Sequence, residues 1–293
     1  MIDWPQVLVD DVARRKCVIF LGAGVSKNSK NNQGRIPKNW LEFLSSAIEQ
    51  LPNGSDKSLS KRLVKQRDYL TACEVIKNTM GVEEFVNHVE AEYLTPAYKS
   101  AEIHELIFKL DSRIVLTPNF DKIYETYAGN VSEGTVKIKN YYADDVASVI
   151  RGKKTDRTII KIHGTIDEPN RLIFSRKDYV SARSVNRDFY SLLDSLIMTH
   201  TFLFIGCGLD DPDMKLLLED YAHKFRFSRS HYFIARKKAI DPQVIKIVEN
   251  TMKLKVLEYS GTGADHNKLI ESLRQLVSVA DTCRSELTES QDW

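Results

Sequence analysis

Six short apolar runs most constrain how this 293-residue chain can fold. Each run is nearly continuous in Val, Ile, Leu and Phe, which is typical of strands that are covered on both faces. Helical patterns lie between the runs, and this alternation predicts an open, mostly parallel, doubly wound α/β sheet. The six runs are CVIFLG from Cys17, RIVLTPN from Arg113, TIIKIHG from Thr158, TFLFIGCG from Thr201, HYFIA from His231 and KLKVLEY from Lys253.

The interval between the first two runs is much longer than the ~30 residues of a plain βαβ unit. Its patterns are helical throughout, so we predict a helical subdomain inserted at about residues 42–110 of a single domain that covers residues 1–281. A polar tail at 282–293 follows. That tail and the stretch LPNGSDKS at 51–58 are the segments most expected to be mobile.

Composition excludes several classes of protein. The 42 basic and 40 acidic residues leave a net charge of +2, which gives no electrostatic reason to expect direct nucleic-acid binding. No apolar run approaches the ~20 residues of a membrane helix, and the acidic N-terminus is unlike a secretion signal, so we expect a cytoplasmic protein. Its four cysteines never form CxxC, which predicts no zinc ribbon, no other metal site and no disulfide framework.

The ends of the strands carry the candidate functional residues, because ligands bind beyond the carboxyl ends of the strands in such sheets. Glycines and small polar groups stand there, where ordinary apolar residues would suffice for a turn. These residues are Gly22, Ala23, Gly24 and Ser26 after the first run, Asn119 and Asp121 after the second, His163 after the third, and Gly206 and Gly208 after the fourth.

Each of these motifs also has a purely structural interpretation. GAGVS can be a tight turn without a ligand; with Lys27 at the third glycine position it does not match a dehydrogenase fingerprint, and the chain has no P-loop. Asn119 can be a helix cap, with Asp121 as a first-turn acid. Asp211 before a proline predicts a second cap, and Cys207 is interpreted as a packing residue. His163, before a glycine at a strand end, suits a base near neutral pH.

Taken together, the order GAGxS, TxNxD, His-Gly and GxGxxDP resembles the sirtuin-like NAD-binding domain, a Rossmann-like fold. More closely, it resembles the bacterial branch that consumes NAD in antiphage defence. The resemblance runs from about Arg14 to Val277. Gly34, Pro37, Trp40 and Leu41 also resemble the GxPxWxxL element of that branch.

The resemblance implies an NAD hydrolase that cleaves the nicotinamide–ribose bond, with NAD as substrate and no metal. His163 would be the catalytic base, and Asn119 and Asp121 would contact the nicotinamide ribose. Residues 259–263 would border the adenosine half together with two glycines. The remaining roles are a diphosphate cradle at Gly22, Ala23, Gly24 and Ser26, and an adenosine border at Gly206 and Gly208.

Two alternatives stay open at this point. An NAD-dependent protein deacylase is disfavoured, because such enzymes carry a four-cysteine zinc ribbon and residues 165–201 hold no cysteine. The other alternative is a non-catalytic sensor of NAD or ADP-ribose. Because free hydrolysis of NAD would kill the host cell, we expect control by homo-oligomerisation or by a separate partner, and the resemblance suggests a HerA-type ATPase.

The loop after the glycine turn, residues 27–39, contains no acidic side chain. We predict that this basic loop is a mobile lid, open in the absence of ligand, whose cations attract or cover the diphosphate. Solvated loop charges are the competing interpretation. The candidate cations are Lys27, Lys30, Arg35 and Lys38.

Overall fold

A computed structural model describes residues 1–153, 155–209, 211–225, 227–261 and 266–290. Within these residues, seven strands form one sheet in the order β3, β4, β2, β1, β5, β6, β7, and every neighbouring pair is parallel. The strands are β1 (Cys17–Leu21), β2 (Ile114–Thr117), β3 (Lys137–Asn140), β4 (Thr158–Lys161), β5 (Thr201–Ile205), β6 (His231–Arg236) and β7 (Leu254–Tyr259).

The sheet confirms the predicted Rossmann-like, doubly wound class, and all six predicted strands are present. The sequence did not reveal β3. This strand lies at the edge of the sheet, where Lys137 is exposed and Ile138 is half exposed, so it lacks the continuous apolar run of a central strand. The strand order reverses between β1 and β5, which places a ligand crevice at their carboxyl ends.

Helices cover both faces of the sheet, and β1 is therefore buried on both sides. Val18 and Phe20 enter one core with α9 to α12, whereas Ile19 and Leu21 enter the other core with α1, α7, α8 and α13. The helices are α1 (Gln6–Ala13), α2 (Ala23–Ser26), α3 (Trp40–Gln50), α4 (Ser55–Lys65), α5 (Tyr69–Met80), α6 (Val82–Tyr93), α7 (Glu102–Lys109), α8 (Ile123–Val131), α9 (Arg176–Val185), α10 (Arg187–Thr199), α11 (Pro212–Lys224), α12 (Pro242–Met252) and α13 (Asn267–Ser290).

The helical insertion consists of α3 to α6, which enclose a third core. Phe120 and Phe174, from the segments after β2 and β4, complete this core with ring centroids 4.2 Å apart. The insertion therefore sits on the carboxyl edge of the sheet. The predicted boundary at residue 110 lies too far along the chain, because Ile103 and Ile107 of α7 pack in the core beneath the sheet with Leu273.

The predicted polar tail is wrong for residues 282–290, which continue α13. Leu276, Ala280 and Leu287 recur at helical spacing and are buried. The Arg284 guanidinium donates to the carbonyl of Leu110, 2.6 Å away, and so ties this end of α13 to the body of the domain. Residues 291–293 lie outside the described residues.

Candidate functional site

The segments that follow the parallel strands β1 and β5 pack against each other at three glycines, which we call the glycine crossing: Gly22, Gly24 and Gly206. The Gly22 N–H donates to the Ile205 carbonyl at 2.9 Å, and the Gly24 N–H donates to the Gly206 carbonyl at 2.8 Å. A Cβ added to Gly22 would lie only 2.4 Å from the Gly206 carbonyl oxygen. Gly206 also has a φ of +67°, which favours glycine. Backbone packing between two strand ends thus requires these glycines, independently of any ligand.

Next to the crossing, Ser26, Asn119 and Asp121 form one hydrogen-bonded network. The Asn119 amide donates to the Gly22 carbonyl and to the Ser26 hydroxyl, both at 3.1 Å. The Ser26 hydroxyl in turn donates to the Asp121 carboxylate at 2.7 Å. Four of the predicted site residues are therefore brought into direct contact.

Asn119 does not cap a helix, so the structural interpretation of this residue is wrong. Helix α8 begins at Ile123, and the N–H of that residue donates to the Asp121 carboxylate at 3.0 Å. The Asn119 side chain instead crosses to the turn after β1. Its orientation is supported by its own N–H, which donates to the Thr117 hydroxyl.

A buried ion pair lies beneath this network and was missed in the sequence. The Lys161 ammonium, on a side chain that is 1% exposed, lies 2.6 Å from the Glu125 carboxylate and donates to the Asp121 carbonyl. Burial raises the pKa of Glu125, although Lys161 opposes this effect. The available signal was a lysine inside the apolar run TIIKIHG.

His163 lies in a second group of residues, the His163 cluster, with Tyr179 and Asp211. Its Nε2 is 3.3 Å from the Tyr179 hydroxyl and 3.5 Å from an Asp211 carboxylate oxygen. His163 is buried, at 1% exposure. Among the described residues no hydrogen bond joins His163 to Asn119, but their strands are neighbours, since Thr117 pairs with Lys161 in the sheet.

The remaining predicted residues divide into three cases. Cys207 packs with its sulfur 3.5 Å from the Phe20 and Ile205 carbonyl oxygens, and burial raises the pKa of its thiol, so the residue is poorly suited to be a nucleophile. Gly208 is exposed beside it. Of the proposed adenosine border at 259–263, residues 262 and 263 lie outside the described residues.

The basic loop is not an open lid in this structure, contrary to the prediction. Lys27 pairs with Glu42 at 2.7 Å, and Lys38 pairs with Glu92 at 2.6 Å. Arg35 also pairs with Glu92. The loop is therefore held by acids of α3 and α6, and three of its four candidate cations already have carboxylate partners.

Within the described ranges, no group of three His, Cys, Asp or Glu side chains is arranged to hold a metal ion. The four cysteines are free thiols. No helix of the described chain is long and apolar enough to span a bilayer.

Comparisons with known proteins give consistent similarities. Residues 113–257 match the family described as SIR2-like domain. The chain is 26% identical over 232 residues to "NAD(+) hydrolase ThsA" of Enterococcus faecium, covering 77% of this chain and 44% of that protein. It is 22% identical over 238 residues to "NAD(+) hydrolase ThsA" of Bacillus cereus (strain MSX-D12), covering 80% and 46%. It is 26% identical over 230 residues to "Defense-associated sirtuin 2" of Bacillus subtilis, covering 73% and 21%. The chain thus spans less than half the length of these relatives.

Proposed function

We propose that this chain, whose residues 113–257 match the SIR2-like domain, hydrolyses NAD to nicotinamide and ADP-ribose. The observation that carries the proposal is the meeting of Ser26, Asn119 and Asp121 beside the glycine crossing. These residues follow β1 and β2, and β2 pairs with β4, the strand that precedes His163. The names of two relatives, NAD(+) hydrolase ThsA, support the same reaction.

We assign each part of NAD to residues at the carboxyl edge of the sheet. The turn from Gly22 to Ser26, including Ala23 and Gly24, would bind the diphosphate, and Gly206 and Gly208 would border the adenosine. Asn119 and Asp121 would contact the nicotinamide ribose, which places this ribose toward β4 and His163. The network that now joins Asn119 to Ser26 would have to exchange some of its hydrogen bonds for bonds to the substrate.

The reaction breaks the bond between the ribose C1′ and the nicotinamide nitrogen, and the bonding electron pair leaves with nicotinamide. Water adds to C1′ and releases a proton, which His163 would accept directly or through a ribose hydroxyl. Because His163 is 1% exposed, the residues around it must move apart to admit the substrate. A closed edge of this kind suits an enzyme that must stay inactive until it is triggered.

We place the protein in the cytoplasm as an NAD-depleting effector of antiphage defence, on the basis of the relative named a defence-associated sirtuin. Homo-oligomerisation or a HerA-type ATPase partner would supply the trigger. Comparing NAD consumption by the purified chain alone and with a genetically neighbouring ATPase tests this part of the proposal.

The catalytic assignment is tested by nicotinamide release from NAD by purified variants. His163→Ala is expected to reduce the rate by roughly 10²–10⁴-fold, the usual contribution of a general base. His223→Ala is the matched control, because this exposed histidine lies on the outside of α11. An unchanged rate in folded His163→Ala would remove the histidine from the mechanism. Release that depends on an acetylated peptide would instead indicate a deacylase.

A further inference from the structure

We infer that Asp211 is a positioning residue for His163, with Tyr179 as its hydroxyl partner; this inference rests on the proposed function. From the sequence, Asp211 is predicted only to cap a helix. In the structure its two carboxylate oxygens act separately. Oδ1 accepts the Met214 N–H at 2.9 Å and caps α11, whereas Oδ2 faces Nε2 of His163 at 3.5 Å.

The hydroxyl of Tyr179 lies between the other two groups. It donates to Asp211 Oδ2 at 3.5 Å and lies 3.3 Å from Nε2 of His163. While this hydroxyl donates a hydrogen bond to the carboxylate, its oxygen can accept a hydrogen bond from the Nε2–H of the imidazole. The Tyr179 ring also packs edge-on against the imidazole, with centroids 5.1 Å apart, and so restricts its orientation.

The arrangement selects one tautomer of His163. Both groups that face Nε2 offer an oxygen acceptor to it, which favours the proton on Nε2 and leaves Nδ1 as the basic nitrogen. Among the described residues Nδ1 has no hydrogen-bond partner. When Nδ1 takes a proton from the reacting water or ribose hydroxyl, the Asp211 carboxylate stabilises the resulting imidazolium.

The distances of 3.3–3.5 Å are longer than those of strong hydrogen bonds. This is the expected state of a base in a closed edge, because catalytic contacts often tighten only when substrate is bound. Asp211 and Tyr179 reach His163 from the N-cap of α11 and from α9, so Asp211 contributes to catalysis through His163 as well as starting α11.

Asp211→Asn tests the inference while preserving the helix cap. Asparagine caps helices as well as aspartate does, and its single oxygen is required by the Met214 N–H. Its NH2 group then faces Nε2 and favours the wrong tautomer. We expect kcat to fall by roughly 10²–10⁴-fold with little change in KM for NAD. Tyr179→Phe, which keeps the ring, should reduce kcat by about tenfold.

Asp241→Asn is the matched control, since Asp241 also caps a helix and precedes a proline but does not contact His163. Its kcat and KM should equal those of the wild type. Adding Asp211→Asn to His163→Ala should cause no further loss, because both changes disable the same unit. Normal kcat in Asp211→Asn beside an inactive His163→Ala would overturn the inference but leave the proposed function intact. Activity of His163→Ala at the wild-type rate would instead defeat the catalytic assignment itself.

A second measurement does not depend on turnover. In protein labelled with ¹⁵N-histidine, the His163 signals, identified by their loss in His163→Ala, should report a proton on Nε2 rather than on Nδ1. Asp211→Asn should move that proton to Nδ1, whereas Asp241→Asn should leave the spectrum unchanged. An Nδ1-protonated ring in the wild type, or no response to Asp211→Asn, would contradict the inference.

Discussion

The ends of β1 and β4 are held in opposite ways. At β1 the glycine crossing joins backbone to backbone, and a methyl group on Gly22 would lie 2.4 Å from a carbonyl oxygen. At β4, His163 is held by side chains at 3.3–3.5 Å. The half of the site after β1 is thus a fixed frame, which suits the diphosphate because this group does not change in the reaction. The half at the end of β4 is adjustable, which suits the ribose because its C1′ reacts.

Lys161 is the exception in the adjustable half, since it ties the end of β4 rigidly to the segment after β2. Lys161→Met would leave Glu125 buried without its partner, and we expect a loss of about 3–5 kcal/mol in the free energy of unfolding. Replacing both residues, Lys161→Met with Glu125→Leu, should recover most of that loss. Urea denaturation measures both effects.

The control for this pair is Lys122→Met, which breaks the exposed pair between Lys122 and Asp167. Its effect should stay below about 1 kcal/mol. If Lys161→Met were equally mild, the ion pair would not hold the end of β4 rigidly, and β4 would be adjustable along its whole end.

The fixed frame is tested by Gly22→Ala. Because the atoms that a methyl group would meet are backbone atoms of Gly206 and Cys207, neither side can move aside easily, and we expect a loss of about 1–3 kcal/mol or more. Gly129→Ala is the matched control: this glycine lies inside α8 with open space around it. It should stabilise the protein by about 0.5–1 kcal/mol. Equal thermal stability of the two variants would show that the crossing is not tight.

The basic loop gives the smallest expected effect. Glu92→Gln removes the carboxylate shared by Arg35 and Lys38, so amide hydrogen exchange in residues 27–39 should become faster. The two cations are partly exposed and can be solvated by water, so the loss in global stability should be small. Glu83→Gln, an exposed change on the same helix, should not alter exchange in the loop. Unchanged exchange in both variants would mean that the loop is held by its backbone contacts alone.

The same ion pairs predict a pH dependence. Burial acts to raise the pKa of Glu92, but the hydrogen bonds from Lys38 and Arg35 outweigh it and hold this pKa below its usual value. Because the pKa of Glu92 is lower in the folded loop, the ionised carboxylate stabilises the folded loop above the unfolded pKa of about 4.3. This stabilisation is lost as the pH falls through the folded pKa. Protection of the loop amides, measured as the exchange rate relative to the intrinsic rate at each pH, should therefore be high at neutral pH and fall as the pH drops below the unfolded pKa. Glu92→Gln should abolish this pH dependence.

The sequence revealed what depends on local pattern. The apolar runs predicted six strands. Their ends identified Ser26, Asn119 and Asp121, which the structure joins by hydrogen bonds, and His163, which lies in a separate cluster after the neighbouring strand. The edge strand β3 escaped because an exposed strand carries no continuous apolar run. The helical continuation after residue 282 was legible in the spacing of Leu276, Ala280 and Leu287, but the polar residues between them concealed it.

What the sequence could not reveal were partnerships between distant segments. The charges of the basic loop looked free because Glu92 lies more than fifty residues further along the chain. The cap at Asp211 was predictable from the following proline, whereas its second oxygen meets His163 only through the fold. Gly22, Gly24 and Gly206 follow strands, as the sequence shows, but what requires them is the close backbone contact between the segments after β1 and β5, which only the fold reveals.

Single-turnover release of nicotinamide, with enzyme in excess over NAD and with the ATPase partner present where one is encoded nearby, is the most direct test of NAD hydrolysis by this chain. We expect one nicotinamide and one ADP-ribose for each NAD consumed by the wild type, and strongly slowed release by His163→Ala. Stoichiometric binding of NAD without any nicotinamide release would contradict it and identify the adjustable half of the site as a sensor.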